Sequence, residues 1–520
     1  MEYRVPDSPA SRSRTTRSGA DPSDSAPSSI TARVAPASLN RQVLSLALPA
    51  LGALVAEPLF VLIDSAMVGH LGAGSLAGLS LASTLLTTIV GLFVFLAYAT
   101  TATTSRRFGA GDRVGGLRAG IDGAWLAVLL GLVAALLLAV GAPWAVGAMG
   151  ADGAVADAAV AYLRASAPGL PGMLVVYAAT GTLRGLLDTR TPFVVATAGA
   201  VGNVAVNATL LYGVRMGIAG SGLGTAIAQT AMAVALLVPV IRAARAAGVP
   251  TSPRAAGLRA SLGTGAPLLV RTLSLRAAIL ATVWAATALG ATALAAHQVV
   301  NALWNFTAFA LDALAIAAQA LVGTALGRAE AARAAQVAAD QTSATPTDPS
   351  SRRTGSGLAE RRTPSSASPQ ASAVPTVPGS GPTVDAVLRR CLAWGVAAGA
   401  VIGVVLAAGS PWLPHLFTSD PTVLAASRPA LLVAATAMPL AGAVFLFDGV
   451  LMGAGDGRYL AWAQMATLVP YLPLTVIIAQ GGAVGGSNGL VWLWVAFAWV
   501  FMGARALVTG LRARSDAWRH

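Results

Sequence analysis

The chain has 520 residues, of which 55% are hydrophobic and only 11% are charged. Soluble globular proteins carry about 25% charged residues, so the charges here are too few to cover a water-exposed surface of this size. The composition therefore excludes a soluble protein and indicates that lipid surrounds most of the fold. The formal net charge is +13, and every basic residue is an arginine because the sequence has no lysine.

Long apolar stretches follow one another along the chain, each near the roughly 20 residues that cross about 30 Å of hydrocarbon as a helix. They predict an all-α polytopic membrane protein with twelve transmembrane helices. The predicted spans are 43–68, 77–102, 119–142, 158–183, 192–213, 219–241, 260–288, 295–322, 387–408, 423–452, 459–480 and 487–511.

The second half of the sequence repeats the first. At an offset of 218 residues Pro49 and Gly109 recur as Pro267 and Gly327, and a second register follows at an offset of 268. The positions matched in the second register are Gly141, Pro143, Trp144, Asp152, Pro171, Gly185, Asp188 and Arg190 with Gly409, Pro411, Trp412, Asp420, Pro439, Gly453, Asp456 and Arg458. Two parallel six-helix copies are typical of secondary transporters. We predict an N-lobe at 41–245 and a C-lobe at 246–329 and 385–511.

Three segments lie outside the predicted spans. Residues 1–40 are rich in Ser, Pro and Arg, and residues 330–384 are rich in Ser, Thr and Pro. Neither segment has a hydrophobic period. Residues 512–520 form a short tail. This composition predicts a disordered N-terminal tail and a disordered linker between the eighth and ninth spans. The linker is interpreted as a solvated spacer, and a regulatory or lipid-contacting basic segment is the alternative.

Arginines precede the first span, fill every alternate loop and end the chain, whereas the loops between them are nearly free of arginine. By the positive-inside rule, both termini are then cytoplasmic in a multi-pass protein of the cell membrane. The basic charge is thus a topology signal, and we expect no nucleic-acid partner. With four histidines and a single cysteine, no metal-ligand spacing occurs, and we expect a monomer without a cofactor.

Ionisable residues inside apolar spans are the first candidates for function, because burying a charge in lipid is costly. Glu57 and Asp64 stand two helical turns apart on one face of the first span. They either exchange protons in a hydrated cavity or are held by fixed positive partners. Arg271 and Arg276 in the seventh span and Asp312 in the eighth are expected to form a structural charge network in the C-lobe.

The two copies differ at these positions. The repeat-related pairs are Glu57 and Leu275, Asp64 and Thr282, Asn203 and Tyr471, and Asn207 and Thr475. Because only the first copy carries the carboxylates, the N-lobe is the better candidate for ion coupling. Asn203 and Asn207, one turn apart, either hydrogen-bond across the helix bundle or complete a polar site with Asp64.

Three separated strings resemble the multidrug and toxic compound extrusion (MATE) transporters, in their DinF-like branch. They are EPLFVLIDSAMVGHLG from Glu57, RTLSLR from Arg271, and AAHQ from Ala295 followed by LDALAIAAQALVG from Leu311. The resemblance covers about residues 41–510 without the linker. It implies two lobes arranged as a V and a cation-coupled antiporter in which Asp64 and Asn203 match the ion-coupling site, with H⁺ or Na⁺ as the coupling ion. Asn207 stands where archaeal members carry an aspartate, which leaves Glu57 as the second carboxylate.

The apolar and aromatic character of the spans suits hydrophobic or cationic small molecules as substrates. Tyr98, Tyr177 and Trp304 are candidate cavity residues, and Gln298 and Gln319 either join them or bridge helices. A flippase for lipid-linked precursors is the alternative, and it would be expected to carry a strongly cationic cavity. An intramembrane enzyme is a remote alternative, since no nucleophile with a base appears.

We predict that residues 335–380 can be replaced by a short flexible linker with little loss of transport. The N-lobe makes the corresponding connection, from Gly109 to Gly141, with 50 fewer residues. Transport in membrane vesicles checks this expectation. A deletion that inserts stably but no longer transports would show that the linker is regulatory.

Overall fold

The computed structural model describes residues 36–343, 381–481 and 488–519. Within these ranges all regular structure is helical. The helices of the N-lobe are α1 Pro36–Gly69, α2 Ala73–Leu92, α3 Phe95–Gly109, α4 Arg113–Ala148, α5 Gly153–Ser166, α6 Leu170–Gly185, α7 Arg190–Ala208 and α8 Ile218–Ala246. A π-helical turn, Thr209–Gly213, extends α7, and a 3-10 turn, Ala167–Gly169, joins α5 to α6.

The C-lobe follows the same order. Its helices are α9 Ala255–Ala288, α10 Ala291–Ser343, α11 Val384–Gly409, α12 Pro421–Thr436, α13 Met438–Gly453, α14 Gly457–Ala479, α15 Gly489–Val495 and α16 Met502–Arg514. A π-helical segment, Ala496–Phe501, links α15 to α16 into one span.

Helix boundaries confirm the repeat. At the 268-residue offset, the first residues of α5 and α6 fall on the first residues of α12 and α13, and the last residue of α8 falls on the last residue of α16. At the 218-residue offset, the start of α2 falls on the start of α10. The fourth span of each copy is broken at the same place, and α12 and α13 meet at an angle of 52°.

Within its described residues, the chain has eleven helices long and apolar enough to cross a membrane, and twelve when the bent pair α12 and α13 counts as one span. This agrees with the twelve spans predicted from the sequence. The all-α polytopic fold is therefore confirmed, and the protein is a multi-pass membrane protein.

Three predicted boundaries are wrong. Helix α10 continues to Ser343, so the segment that begins at residue 330 is helical for its first fourteen residues. Its repeated alanines favour helix strongly enough to extend the apolar span without an apolar face. Helix α1 begins at Pro36, inside the predicted tail, and α16 ends at Arg514, inside the predicted 512–520 tail. Residues 1–35 and 344–380 lie outside the described part of the chain, so a linker deletion is better begun after Ser343.

The two lobes touch closely where α3 and α10 run side by side toward the arginine-rich side, the side on which the arginines of the alternate loops lie. Glycines make this approach possible. A Cβ atom added at Gly109 would lie 2.1 Å from the backbone oxygen of Thr324, and one at Gly327 would lie 1.8 Å from that of Arg106. Arg106 also pairs with Glu330 of α10 and donates to the backbone oxygen of Ala454 at 3.0 Å. The backbones of α3 and α10 are thus in direct contact at this interface, and the ion pair of Arg106 with Glu330 also joins the two helices.

The connection between the lobes, residues 247–254, is fastened to α4. Arg118 donates to the backbone oxygens of Pro250 and Ser252, and Trp125 donates to that of Thr251 at 2.8 Å. Asp122, buried on α4, pairs with Arg254 at 3.0 Å. The entry to α9 is therefore held against the N-lobe on the arginine-rich side.

Replacement of Gly109 by alanine is expected to lower thermal stability in detergent, by about 1–3 kcal/mol, because the added methyl group meets a helix backbone that cannot rotate away. The matched control is Gly141→Ala on α4. An added Cβ there meets nothing within 4 Å, so the better helix propensity of alanine should leave stability equal or higher. Equal melting temperatures for the two variants would contradict the close packing of α3 on α10.

Candidate functional site: a buried carboxylate beside a cavity

Asp64 is buried on α1, with 4% of its surface exposed. Its Oδ1 accepts hydrogen bonds from the Asn207 side-chain nitrogen at 2.8 Å and from the Ser221 hydroxyl at 2.5 Å. These donors come from α7 and α8, so three helices converge on one carboxylate oxygen. Within the described residues no basic side chain pairs with Asp64, which differs from the arginine-bound carboxylates elsewhere in the fold.

The two predicted asparagines extend this network. Asn207 Nδ2 also donates to Asn203 Oδ1 at 2.8 Å, one turn back along α7. The buried atoms Asn203 Nδ2 and Asn207 Oδ1 have no hydrogen-bond partner in the described structure. Beyond Asn207 the helix widens into its π-helical turn, where the Tyr212 hydroxyl donates to the backbone oxygen of Met67 at 2.7 Å and ties α7 to the end of α1. One donor and one acceptor thus remain available beside Asp64.

A cavity of about 200 Å³ lies within the N-lobe, among α1, α2, α5, α6, α7 and α8. Its walls are largely apolar. The polar lining residues are Ser83, Thr87, Tyr162, Tyr177, Thr180, Arg184, Asn203, Thr225 and Gln229. Asn203 belongs both to this lining and to the Asp64 network, so it connects the carboxylate with the cavity. The side chain of Glu57 lies outside the described part of the structure.

The C-lobe also has a polar contact between its first and fifth spans, without the carboxylate. Thr282, the counterpart of Asp64, lies 2.5 Å from the hydroxyl of Tyr471, the counterpart of Asn203. Both lobes therefore join the first and fifth spans of the repeat through a buried polar pair. Only the N-lobe has a carboxylate there.

The buried charges of the C-lobe are organised around Asp448 on α13. Its Oδ2 accepts from Arg271 of α9 and from Arg505 of α16, each at 2.6 Å. The predicted charge network of Arg271, Arg276 and Asp312 is wrong in its ion pairs, because Arg271 pairs with Asp448 of α13 instead. Arg276, also on α9, has an exposed side chain and is not part of this triad.

Asp312 lies half-buried on α10 near the lobe interface. It forms no direct ion pair in the described structure. Arg184, which the sequence places at a loop, is in the last turn of α6 with 8% of its surface exposed.

The five predicted cavity residues do not line one common cavity. Tyr177 lines the N-lobe cavity, whereas Trp304 is buried in the C-lobe core against Trp494 and Phe497, with ring centroids 5.9 and 5.4 Å away. Gln298 is exposed near the start of α10. Gln319 of α10 donates to the backbone oxygen of Tyr98 on α3 at 2.8 Å, so these two residues belong to the lobe interface.

Sequence reasoning missed several residues that the fold brings together. Asp448 is an ionisable residue inside the tenth predicted span, and the rule that selects Asp64 would have selected it as well. Arg184 and Arg505 stand near predicted span ends, where an arginine is the ordinary topology signal. Ser221, Tyr162 and Thr225 carry no sequence signal of this kind, because a hydroxyl in a membrane helix usually bonds its own backbone.

The described residues contain no group of three or more histidine, cysteine or acidic side chains that could hold a metal ion.

Two copies of a membrane-spanning helical bundle, with a buried carboxylate beside a cavity in one of them, define a polytopic membrane transporter. The MatE family model matches residues 49–209, 267–343 and 382–477, more than half of the chain. The chain therefore belongs to the MatE family, whose members are transporters and not enzymes, and the resemblance seen in the sequence is confirmed.

The chain is similar to curated proteins from plants and bacteria. It is 28% identical over 297 residues to Protein DETOXIFICATION 44, chloroplastic, of Arabidopsis thaliana, covering 53% of this chain and 55% of that protein. It is 27% identical over 280 residues to DNA damage-inducible protein F of Escherichia coli K12, covering 53% and 61%. The matches thus span less than two thirds of these two relatives. Protein DETOXIFICATION 45, chloroplastic, of Arabidopsis thaliana is 25% identical over 514 residues, with 93% and 80% covered.

Solved structures share the fold. A MOP superfamily transporter from Pyrococcus furiosus superposes with a TM-score of 0.73 at 17% identity, covering 93% of this chain and 97% of that one. A variant of the Vibrio cholerae MATE transporter VcmN gives a TM-score of 0.73 at 19% identity, covering 93% and 99%. At this level of identity the likeness concerns the fold alone.

Replacement of Asp448 by leucine is expected to destabilise the protein by about 3–5 kcal/mol, because it leaves Arg271 and Arg505 buried without a counter-charge. Adding Arg271→Met to the Asp448→Leu variant should recover part of the loss, since one stranded charge is removed. Thermal unfolding in detergent measures both, and Arg276→Gln is the control expected to unfold like the wild type. Additive losses would contradict the triad.

Proposed function

We propose that this protein is a proton-coupled antiporter that exports hydrophobic or cationic small molecules by alternating access. The observation that carries the proposal is Asp64, a buried carboxylate with two neutral donors and no cationic partner among the described residues. A carboxylate held only by neutral groups can gain and lose a proton without breaking an ion pair. Membership of the MatE family supports the transport function.

The network around Asp64 is suited to two protonation states. Burial away from water favours the neutral acid, whereas the donors Asn207 and Ser221 favour the carboxylate. These opposing effects allow a modest change in solvation, such as opening of the cavity to one side of the membrane, to change the protonation state. When Asp64 becomes neutral, Asn207 and Ser221 lose a charged acceptor, and α7 and α8 are less firmly held to α1.

The N-lobe cavity is the proposed substrate site. Apolar and aromatic walls that include Phe60, Met173, Tyr177 and Met232 suit a hydrophobic molecule. Asn207 joins Asp64 to Asn203, and Asn203 lines the cavity, so a change at the carboxylate reaches the substrate through two side chains of α7. Sodium is the alternative coupling ion, and the unpartnered oxygen of Asn207 beside Asp64 would favour it.

The arginine-rich side is proposed to face the cytoplasm, by the positive-inside rule. With α3 and α10 packed backbone to backbone on that side, the described conformation is then closed to the cytoplasm. The proposed location is the cell membrane, with the protein acting as a monomer in lipid.

A flippase for lipid-linked precursors remains the second candidate from sequence. It would require a cationic cavity for a pyrophosphate. Two of the interior arginines, Arg271 and Arg505, are instead bound by Asp448, and the N-lobe cavity has one basic residue, Arg184, among its described lining. These observations favour the antiporter.

Replacement of Asp64 by asparagine is expected to abolish gradient-driven efflux while the protein still inserts and folds, since it fixes a neutral side chain at the proposed switch. Transport of an organic cation into everted vesicles, with an imposed proton or sodium gradient, is the measurement. The matched control is Asp157→Asn, an exposed carboxylate of α5 in the same lobe, which should transport like the wild type.

Normal proton-driven transport by the Asp64→Asn variant would remove Asp64 from the mechanism. Wild-type transport that follows a sodium gradient but not a proton gradient would keep the site and change the coupling ion.

A further inference from the structure

A second cavity, of about 360 Å³, lies between the two lobes on the arginine-rich side. Its walls come from α3 and α4 of the N-lobe and from the first turns of α9, the first helix of the C-lobe. The charged lining residues are Arg107 of α3, Asp122 of α4 and Arg254 at the start of α9. This cavity is separate from the one beside Asp64, because the two have no described lining residue in common.

Positive charge is in excess around the second cavity. Asp122 is already paired twice, with Arg254 at 3.0 Å and with Arg118 at 2.9 Å. Within the described residues Arg107 forms no ion pair, and its guanidinium donates to the backbone oxygen of Gly115 at 3.0 Å. Three guanidinium groups therefore meet one carboxylate, and an anion is the ligand that would balance them.

The first turn of α9 adds positive potential to the same wall. Its N-cap residue, Arg254, offers no side-chain acceptor to the helix, whereas Asp112 caps α4 by accepting from a first-turn amide at 2.8 Å. Ala256 and Gly257 of this uncapped turn line the cavity. The Asp122 carboxylate lies against Gly257, where an added Cβ would be 2.2 Å from its Oδ2. Negative charge is thus already accommodated beside these amides, as expected at a helix N-terminus.

The depth of the cavity indicates the kind of anion. Trp125 of α4 is exposed next to the cavity lining, and its Nε1 donates to the backbone oxygen of Thr251 at 2.8 Å. Tryptophan is enriched at the level of the lipid headgroups. Farther along the two helices, Leu129 of α4 is 50% exposed and Leu262 of α9 is 45% exposed. The cavity therefore lies at headgroup depth, with apolar surface suited to lipid chains directly beyond it.

We propose that the second cavity binds the phosphate headgroup of an anionic phospholipid from the leaflet on the arginine-rich side. Arg107 and Arg254 hold the phosphate from the two lobes, and the hydroxyls of Thr103 and Ser261, also in the lining, face the glycerol oxygens. The acyl chains lie along the exposed apolar surface of α4 and α9. Basic pockets between membrane helices recognise anionic lipids in this way.

The test is a lipid titration of the full chain in neutral detergent, followed by native mass spectrometry. Dioleoyl phosphatidylglycerol should bind more tightly than dioleoyl phosphatidylcholine, whose phosphate is balanced by its own choline. Arg107→Gln and Arg254→Gln should each weaken the tightest phosphatidylglycerol binding by about fivefold, the effect of one basic residue beside an anionic headgroup. Asp122 keeps Arg118 as its partner in the second variant. Arg190→Gln, an exposed arginine at the start of α7 outside the lining, is the matched control and should bind like the wild type.

A second pair of variants keeps every arginine and changes only the space. Ala260→Phe fills the cavity from an exposed position of α9 and should weaken phosphatidylglycerol binding by about fivefold or more. Ala266→Phe, at an exposed position of the same helix outside the lining, is its control and should bind normally. Wild-type binding by Ala260→Phe and by both arginine variants would overturn the site, and so would an equal loss in the controls.

Thermal unfolding separates a lipid from a soluble anion. Phosphatidylglycerol should raise the melting temperature of the wild type, because a ligand of the folded state stabilises it, and inorganic phosphate at the same concentration should not. A rise with inorganic phosphate that is lost in Arg107→Gln would assign the cavity to a soluble anion and overturn the lipid site. Since neither measurement uses transport or an ion gradient, a failure here is separate from a failure of the proposed antiport.

Discussion

Carboxylates that are buried in a helical bundle surrounded by hydrocarbon need partners within the protein, and the two lobes meet this requirement in opposite ways. In the C-lobe, Asp448 is fixed between two guanidinium groups, and removing the carboxylate leaves both positive charges without a partner. In the N-lobe, Asp64 is held by an amide and a hydroxyl, which remain neutral in either state of the acid. One carboxylate is therefore held by fixed charges, while the other is held by neutral groups.

The repeat shows how one scaffold acquired both arrangements. Arg271 and Asp448 occupy the positions that correspond to Ala53 and Thr180, and both of these N-lobe residues line the cavity. Side chains that leave space in the first copy are replaced in the second by an ion pair that crosses the same region. The contact between the first and fifth spans is kept in both lobes, as Asp64 with Asn207 and as Thr282 with Tyr471. Divergence has changed the interior of each lobe and left its helix order intact.

The sequence predicted the features that depend on period and composition. The twelve spans and the two registers follow from apolar length and from matched positions, whereas the contact of α7 with Asp64 was one of two alternatives for its asparagines. The partner of Arg271 could not be predicted in this way, because depth along a helix does not determine which neighbour a side chain faces. Arg184 was missed for a similar reason: an arginine near a span end looks the same whether it meets water or turns inward. The helical extension of α10 was missed because alanine-rich sequence resembles a linker in hydropathy.

The second span is continuous in the C-lobe and interrupted in the N-lobe, and this difference affects how each lobe can bend. In the C-lobe, α10 runs unbroken for 53 residues, a rod of about 80 Å at 1.5 Å per residue. In the N-lobe the equivalent path is interrupted at Phe93 and Val94, between α2 and α3. When the interface between α3 and α10 moves, the N-lobe helix can therefore bend between α2 and α3, whereas α10 moves as a single rigid helix. The second span of the lobe that contains Asp64 is therefore the one that bends more easily. The corresponding helix of the lobe that contains Asp448 stays straight.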